Sequence, residues 1–228
     1  MEKTIKVKSI LKGLLIAFCI FILVDIIPFV ILWIADSATS TANQIAIQKW
    51  AVKTSVFNFQ KVYTRNSILP LLVLSEDYGT AIEYYKELED LQGTDNLNTE
   101  LIIYSYIRTG DYDNALMYAS LINDKSRMAQ IYLIKKDYEK ADIVTKDLLS
   151  EKSIKASSYL YKSEILYHNG DYQQAYDYVD KALNLSPNFV DALYLKARIC
   201  NNMGKSAEAK KYYSMAKYLD IERDKTRE

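Results

Sequence analysis

The side chains that most often perform catalysis are scarce in this sequence of 228 residues. It contains one histidine, His168, and two cysteines, Cys19 and Cys200. No histidine-based triad, Cys/His metal cluster or Gly-rich phosphate loop can be recognised, and His168 reads as a polar residue at a helix end before Asn169-Gly170. We therefore expect no enzyme activity, no cofactor and no metal site.

Charge is balanced over the whole chain, with 29 basic and 29 acidic residues, but it is unevenly distributed. Residues 1–12 hold four lysines and one glutamate, whereas residues 36–228 hold 25 basic and 27 acidic groups. Nucleic-acid affinity comes largely from cationic side chains that neutralise phosphates. A slightly acidic main body therefore argues against a nucleic-acid partner.

Gly13 to Ala35 forms an apolar stretch of 23 residues with one charge and one proline. A helix needs about 20 apolar residues to cross the hydrocarbon core of a bilayer. The stretch predicts a single transmembrane helix over 13–35, and the lysines in 1–12 predict a cytoplasmic N-terminus with the rest of the chain outside. Trp33 falls near the outer end, where an interfacial indole is expected.

Two other interpretations of this stretch stay open. A cleaved signal peptide is disfavoured because the run exceeds the usual 7–15 apolar residues and Ala35-Asp36-Ser37-Ala38 is a weak cleavage site. A buried helix of a soluble protein is the third interpretation.

Asp25 lies in the middle of the predicted span, and Pro28 follows three residues later. An isolated carboxylate at the bilayer centre costs about 2.5–3.5 kcal/mol on insertion scales. Pro28 frees a backbone carbonyl and is expected to kink the helix. Either Asp25 is protonated and tolerated, or Asp25 and Pro28 face a partner transmembrane helix that offers a cation or a hydrogen-bonding group. A re-entrant hairpin turning at these residues would leave two arms too short to cross.

Residues 36–65 are expected to form a helical connector. Thr39 to Arg65 contains no glycine or proline, and Ile47, Trp50 and Phe57 share one helical face. We expect this helix to cap the domain that follows, although it could also lie on the membrane or self-associate.

Beyond the connector, one pattern recurs through residues 66–221. A tyrosine, usually preceded by aspartate, is followed three residues later by alanine, and serine replaces the tyrosine in the last copy. The pairs are Tyr78/Ala81, Tyr112/Ala115, Tyr138/Ala141, Tyr172/Ala175 and Ser206/Ala209. Their spacing is 34 residues except for one interval of 26, and 34 is typical of a helical solenoid. The aspartate suits a helix N-terminus, and the alanine indicates close helix approach.

The last two copies carry the fullest motif, including Gly170-Asp171-Tyr172 and Gly204-Lys205-Ser206. In this motif the chain resembles the tetratricopeptide-repeat family. The resemblance implies an all-α solenoid of about five helix-turn-helix repeats. Here the solenoid follows the predicted N-terminal transmembrane helix and precedes a charged tail over 222–228. Pro70 predicts that the first helix of the first repeat is broken or begins there, and the 26-residue interval predicts short helices around 122–136.

The family resemblance also implies a concave groove lined by the first helix of each repeat. The positions that correspond to groove residues are Tyr104, Gln130, Glu164, Tyr167, Tyr194, Arg198 and Asn201. Tyrosine offers a rigid apolar body with a hydroxyl group, which suits protein and peptide recognition. The positions that grip a peptide carboxylate in chaperone-binding members hold Leu160, Glu164, Asp191 and Leu195, so we expect no chaperone docking.

Together these features predict a membrane-anchored scaffold for protein–protein interactions, engaged in assembling an envelope or membrane complex. One alternative is a tethered receptor that captures peptides in the groove. Another is a cleaved, soluble periplasmic repeat protein.

Overall fold

The computed structural model describes the backbone of residues 2–94 and 96–225, and the side chains of residues 12–94 and 97–222. Within this part of the chain there are twelve helices and no strand, as the predicted all-α class requires. The basic segment 1–12 and the tail 222–228 fall largely outside the described side chains, so those two assignments stay predictions.

The chain divides into two compact units, residues 1–118 and 119–228, which are described separately. The helices that begin in the first unit are α1 (Glu2–Asp36), α2 (Thr41–Thr54), α3 (Asn58–Leu74), α4 (Tyr78–Gln92), α5 (Asn96–Thr109) and α6 (Tyr112–Leu121). Those of the second unit are α7 (Lys125–Ile134), α8 (Tyr138–Leu149), α9 (Ala156–His168), α10 (Tyr172–Leu185), α11 (Val190–Asn202) and α12 (Ser206–Lys225).

Helix α1 carries the apolar stretch. Residues Lys12–Asp36 form a helical segment that contains an 18-residue window with a mean hydropathy of 3.0, of which only 6% is buried. Its length and composition suit a membrane span, although a signal sequence at an N-terminus passes the same test. Pro28 lies inside this helix without interrupting it.

The second half of α1 is packed against the two helices that follow. Ser40 caps the start of α2, where its hydroxyl accepts a hydrogen bond from the Asn43 amide at 3.3 Å. Phe21 of α1 meets Phe57 at a ring-centroid distance of 5.5 Å, and Phe29 meets Tyr63 of α3 at 5.2 Å. The connector is therefore bound to α1 as well as to the repeats.

The connector is not one continuous helix. The helix expected from Thr39 to Arg65 is interrupted at residues 55–57, between α2 and α3. The prediction for Pro70 was wrong, because α3 runs through Pro70 to Leu74 and itself forms the first helix of the first repeat. Of the short helices expected around 122–136, one is present, the ten-residue α7; α6 also has ten residues but ends at Leu121, before this range.

The repeat register follows the Asp and Ala positions, as the sequence predicted. The side chains of Asp77, Asp111 and Asp137 accept hydrogen bonds from the backbone amide three residues later, at 3.2–3.4 Å. These bonds satisfy amides that a helix start leaves unpaired. The alanines of the first four pairs are fully buried, which allows the paired helices to approach closely: Ala81, Ala115, Ala141 and Ala175.

In each repeat, one residue with a left-handed backbone conformation lies between the two helices, two positions before the second helix begins. Gly110, Gly170 and Gly204 hold this position with φ between 75° and 86°. In two repeats a residue with a side chain holds it instead, Glu76 with φ of 63° and Lys136 with φ of 58°. A left-handed conformation costs a non-glycine residue about 1–2 kcal/mol.

We expect Lys136→Gly to stabilise the second unit by about 0.5–1 kcal/mol, because removing the Cβ relieves this strain at some cost in unfolded-chain entropy. Urea unfolding of the full chain, followed by circular dichroism, measures the change. Lys135→Gly is the matched control, since Lys135 is right-handed with φ of −72° and should lose about 0.5–1 kcal/mol. Equal effects at the two positions would contradict the explanation.

Candidate functional site

The second unit contains a cavity of about 360 Å³ lined by α7, α9 and α11. These are the first helices of successive repeats, so the cavity lies on the face that the family resemblance assigns to the groove. Four predicted groove residues line it: Gln130, Glu164, Tyr194 and Arg198. Leu133, Leu160 and Leu195 are largely buried and give it an apolar base. We call this cavity the second-unit groove.

Some polar groups of the second-unit groove are already engaged. The Gln130 Oε1 atom accepts a hydrogen bond from Arg127 Nη1 at 3.0 Å, and the Tyr194 hydroxyl donates to Asp220 Oδ2 at 2.9 Å. These contacts fix both side chains at the edge of the groove. Because each is held by a neighbour, both are preorganised for contact with a ligand.

Glu164 and Asp191 are the two carboxylates that line the groove, and Arg198 interacts electrostatically with Glu164. No hydrogen bond or ion pair joins the half-buried Glu164 carboxylate to another side chain in the described residues. Burial raises the pKa of Glu164 above its usual value, Arg198 opposes this and Asp191 adds to it. An incompletely solvated carboxylate above an apolar base favours a cationic group of a ligand.

The remaining predicted groove residues are distributed around this cavity or away from it. Asn201 lines an adjoining cavity of about 370 Å³ together with Tyr194, Arg198 and Tyr213. The Arg198 guanidinium lies 4.6 Å above the ring of Tyr167. Tyr104 belongs to the first unit, so no common site with the others is assigned to it.

Tyr104 has its own local contacts. Its hydroxyl accepts a hydrogen bond from Arg108 Nη1 at 2.9 Å, and its ring meets that of Tyr78 edge-on at 5.9 Å. In this arrangement it contributes to packing between neighbouring helices of the first unit.

His168 and Cys200 behave as structural residues. His168 stacks on Tyr138 at a centroid distance of 4.5 Å, and burial together with Arg198 and Lys136 lowers the pKa of His168. Cys200 is fully buried, and burial raises the pKa of its thiol. In the part of the chain that the structure describes, no group of three or more His, Cys, Asp or Glu side chains could hold a metal ion.

A buried lysine lies between α10, α11 and α12, and sequence reasoning missed it. Lys196 is only 6% exposed and forms an ion pair with Asp180. Its ammonium group lies 4.7 Å from the Tyr176 ring centroid and 4.1 Å from that of Tyr212. Burial alone would lower the pKa of Lys196, but hydrogen bonds to Asp180 and Tyr212 outweigh it and raise the pKa.

A second polar site lies on α1, at the predicted Asp25 and Pro28. Proline lacks the N–H that would bond the carbonyl four residues earlier, and this is the carbonyl of Val24. The Gln60 side chain of α3 replaces this missing donor. Its Nε2 atom donates to the Val24 carbonyl at 3.1 Å and to the Asp25 carbonyl at 3.0 Å. The same nitrogen lies 3.4 Å from Asp25 Oδ1.

Gln60 therefore links three elements. Its Oε1 atom accepts hydrogen bonds from the backbone amides of Val56 at 2.8 Å and Phe57 at 3.0 Å, which lie in the link directly before α3. The side chain is fully buried. Sequence reasoning predicted the carbonyl that Pro28 frees but not this partner, although a lone glutamine among aromatic residues in Phe57–Tyr63 was a visible signal.

The helical pairs, the turn geometry and the groove define an α-solenoid, a fold that typically serves protein–protein interaction. Residues 134–216 match the family model described as anaphase-promoting complex, cyclosome, subunit 3. No curated protein sequence matches the chain closely enough to count as a relative.

Solved structures share the architecture at low sequence identity. A tetratricopeptide repeat protein from Parabacteroides merdae is similar over 75% of this chain and 70% of its own, with 15% identity and a TM-score of 0.63. MamA from Desulfovibrio magneticus RS-1, from residue 41 to its end, is similar over 72% of this chain and 97% of its own, with 15% identity and a TM-score of 0.57. The chain therefore shares the α-solenoid fold of these tetratricopeptide-repeat structures.

Proposed function

We propose that this protein is a single-pass membrane scaffold whose repeats bind protein partners outside the cytoplasmic membrane during assembly of an envelope or membrane complex. The observation that carries the proposal is α1, a long apolar helix with little burial, followed directly by a tetratricopeptide-repeat solenoid. The lysines of residues 1–12 favour a cytoplasmic N-terminus and extracytoplasmic repeats.

Asp25 and Pro28 support a role of the membrane helix beyond tethering. Buried acceptors in a membrane need donors, and ionisable residues within spans commonly mark functional contacts. In this proposal, Asp25 and the Val24 carbonyl that Pro28 frees receive hydrogen bonds from a partner transmembrane helix once the protein is in its complex.

Copurification from native membranes tests this. The full-length protein and Asp25→Leu are purified side by side in mild detergent, and mass spectrometry identifies the proteins that accompany each. We expect a stoichiometric membrane protein with the native chain and at least about a tenfold loss with Asp25→Leu. Asp36→Leu is the matched control, because this exposed carboxylate ends the same helix, and it should keep the partner.

The second-unit groove favours a second candidate function, that of a tethered receptor for peptides with a cationic side chain. Glu164 and Asp191, two carboxylates at the same cavity against one Arg198, supply the complementary charge. In the same purification, soluble partners kept by Asp25→Leu but lost by Glu164→Lys would favour the receptor. Loss of the membrane partner with Asp25→Leu alone favours the scaffold.

Cleavage of the N-terminal helix would remove both membrane proposals. The mass of the mature protein from cells decides this directly. A mass that lacks about the first 35 residues, as expected for a removed signal peptide, would make the protein a soluble extracytoplasmic repeat protein.

A further inference from the structure

The start of α3 lies level with the middle of the predicted membrane span. Gln60 bonds Val24 and Asp25, and Phe57 packs on Phe21. Residue 24 is the midpoint of the apolar stretch 13–35. The packing of α2 and α3 therefore runs along one face of the second half of the segment that would have to enter the bilayer.

The polar side chains next to these contacts would be energetically unfavourable in the hydrocarbon core of a bilayer. Lys53, at the end of α2, and Asn58, at the start of α3, are exposed, and Lys61 is half-exposed beside Gln60. With residues 13–35 across the bilayer and the packing kept, these groups would lie deep in the hydrocarbon core. Charged side chains are expensive there, and unpaired amides are as well.

Apart from the hydrogen bonds of Gln60, the packing contacts on α1 are of a kind that lipid can replace. The face of α1 that meets α2 and α3 is apolar except at Asp25, with Phe21 and Phe29 as its aromatic contacts, and its opposite face already exposes Ile26, Val30 and Trp33. In water this packing buries apolar surface, whereas lipid tails solvate the same surface equally well. The apolar part of the contact with α2 and α3 therefore gives α1 little advantage once it is inside a bilayer.

Resting on the proposed membrane anchoring, we propose that the bilayer and the α2–α3 pair compete for the same face of α1. Insertion of residues 13–35 releases α1 from α2 and α3. The face of α2 and α3 that α1 had covered then binds the lipid headgroup layer. The freed face carries Phe57, Phe59 and Tyr63, aromatic residues that suit the interface between headgroups and water. The link of residues 37–40 keeps it at the membrane surface.

The proposed competition also determines when Asp25 can bind a partner helix. In the packed state Gln60 donates to the Val24 carbonyl and to Asp25. Release withdraws this donor, so the same acceptors become available to a partner helix only after insertion. Gln60 thus occupies these hydrogen-bond acceptors in the packed state, and the partner helix replaces Gln60 once α1 is in the membrane.

Cross-linking of cysteine pairs in the full-length protein tests the competition. In a background with Cys19→Ser and Cys200→Ser, Phe21→Cys is combined with Phe57→Cys, and a short bismaleimide is applied in amphipol and in liposomes. We expect efficient cross-linking in amphipol and a decrease of at least about tenfold in liposomes, because the packed state becomes a minor state there. Phe29→Cys with Tyr63→Cys is a second pair, so one misfolded variant does not decide the result.

The control pair is Tyr194→Cys with Tyr213→Cys in the second unit. Its ring centroids are 5.6 Å apart, against 5.5 Å for Phe21 and Phe57, and it should cross-link equally in both environments. Resistance to carbonate extraction is measured on the same samples. Cross-linking that persists in carbonate-resistant protein overturns the competition but leaves the anchoring intact. Extraction of the protein by carbonate overturns the anchoring itself, and the competition with it.

Discussion

Asp180→Ala is expected to lower the free energy of unfolding of the second unit by about 2–3 kcal/mol. The substitution leaves Lys196 charged and buried without its anionic partner, and loss of one member of a buried pair costs about 3–5 kcal/mol. The lower value applies because the side chain of Asp180 is 38% exposed, so solvent screens part of the interaction. Urea unfolding of the full chain in amphipol, monitored by circular dichroism, gives the value.

Two comparisons separate this cause from a general loss of packing. Asp180→Ala combined with Lys196→Met should recover part of the stability, because no unpaired charge then remains buried. Asp147→Ala breaks the more exposed pair of Lys125 with Asp147, 3.3 Å apart, and should change stability by at most about 0.5 kcal/mol. A double variant less stable than Asp180→Ala would contradict the explanation.

The pH dependence of this stabilisation follows from the raised pKa of Lys196. A lysine whose pKa is higher in the folded protein contributes its full stabilisation below its unfolded pKa of about 10.4. The contribution is lost as the pH rises through the higher folded value. The difference between the native chain and Asp180→Ala should therefore be constant near neutral pH and shrink only in strong alkali.

Gln60→Met is expected to destabilise the first unit by about 3 kcal/mol when no bilayer is present. The variant keeps the side-chain volume but removes the acceptor for the amides of Val56 and Phe57 and the donor to the Val24 carbonyl. Each buried polar group left unpaired costs about 1–3 kcal/mol. Trp33 and Trp50 both lie in this unit, so tryptophan fluorescence during urea unfolding in amphipol follows it.

Gln48→Met is the matched control, because Gln48 is also a buried glutamine of the same unit, 3% exposed. Its Oε1 atom has no hydrogen-bond partner within the described residues. Replacing it should change the stability by less than about 1 kcal/mol, and in the stabilising direction. Similar losses for Gln48→Met and Gln60→Met would show that the hydrogen bonds of Gln60 do not account for its effect on stability.

The repeat register was predictable because its determinants are local. An aspartate that caps a helix and an alanine three residues after the following tyrosine act within one turn of chain, so Asp77 and Ala81, or Asp137 and Ala141, can be read directly. Whether a helix continues or breaks between these positions depends on packing against residues that are distant in the sequence. Pro70 suggested a break, yet tertiary packing keeps α3 continuous through it.

Residues that violate a local rule were the least predictable. Glu76 and Lys136 adopt the left-handed conformation that glycine adopts in the other repeats. Glutamate and lysine do not favour this conformation, so their residue types did not predict it. Gln60 was missed for the opposite reason. Pro28 indicated a free carbonyl, but the donor lies 36 positions from Val24, and only the folded arrangement of α1 and α3 identifies it.

The family resemblance grouped Gln130, Glu164, Tyr194 and Arg198, and the structure places these four residues around one cavity. Their contact with a partner stays a prediction. The resemblance did not indicate that Arg198 acts electrostatically on Glu164, nor that the Arg198 guanidinium lies over Tyr167. Such details depend on rotamers and competing partners, which spacing alone does not encode.

The repeat geometry also has a kinetic consequence. The hydrogen bonds described above join residues at most 36 positions apart, and the pair of Lys196 with Asp180 spans only 16. Chains with such short sequence separations close small loops and fold rapidly. Each helical pair can therefore form soon after it leaves the ribosome or crosses the membrane, while later repeats are still being synthesised.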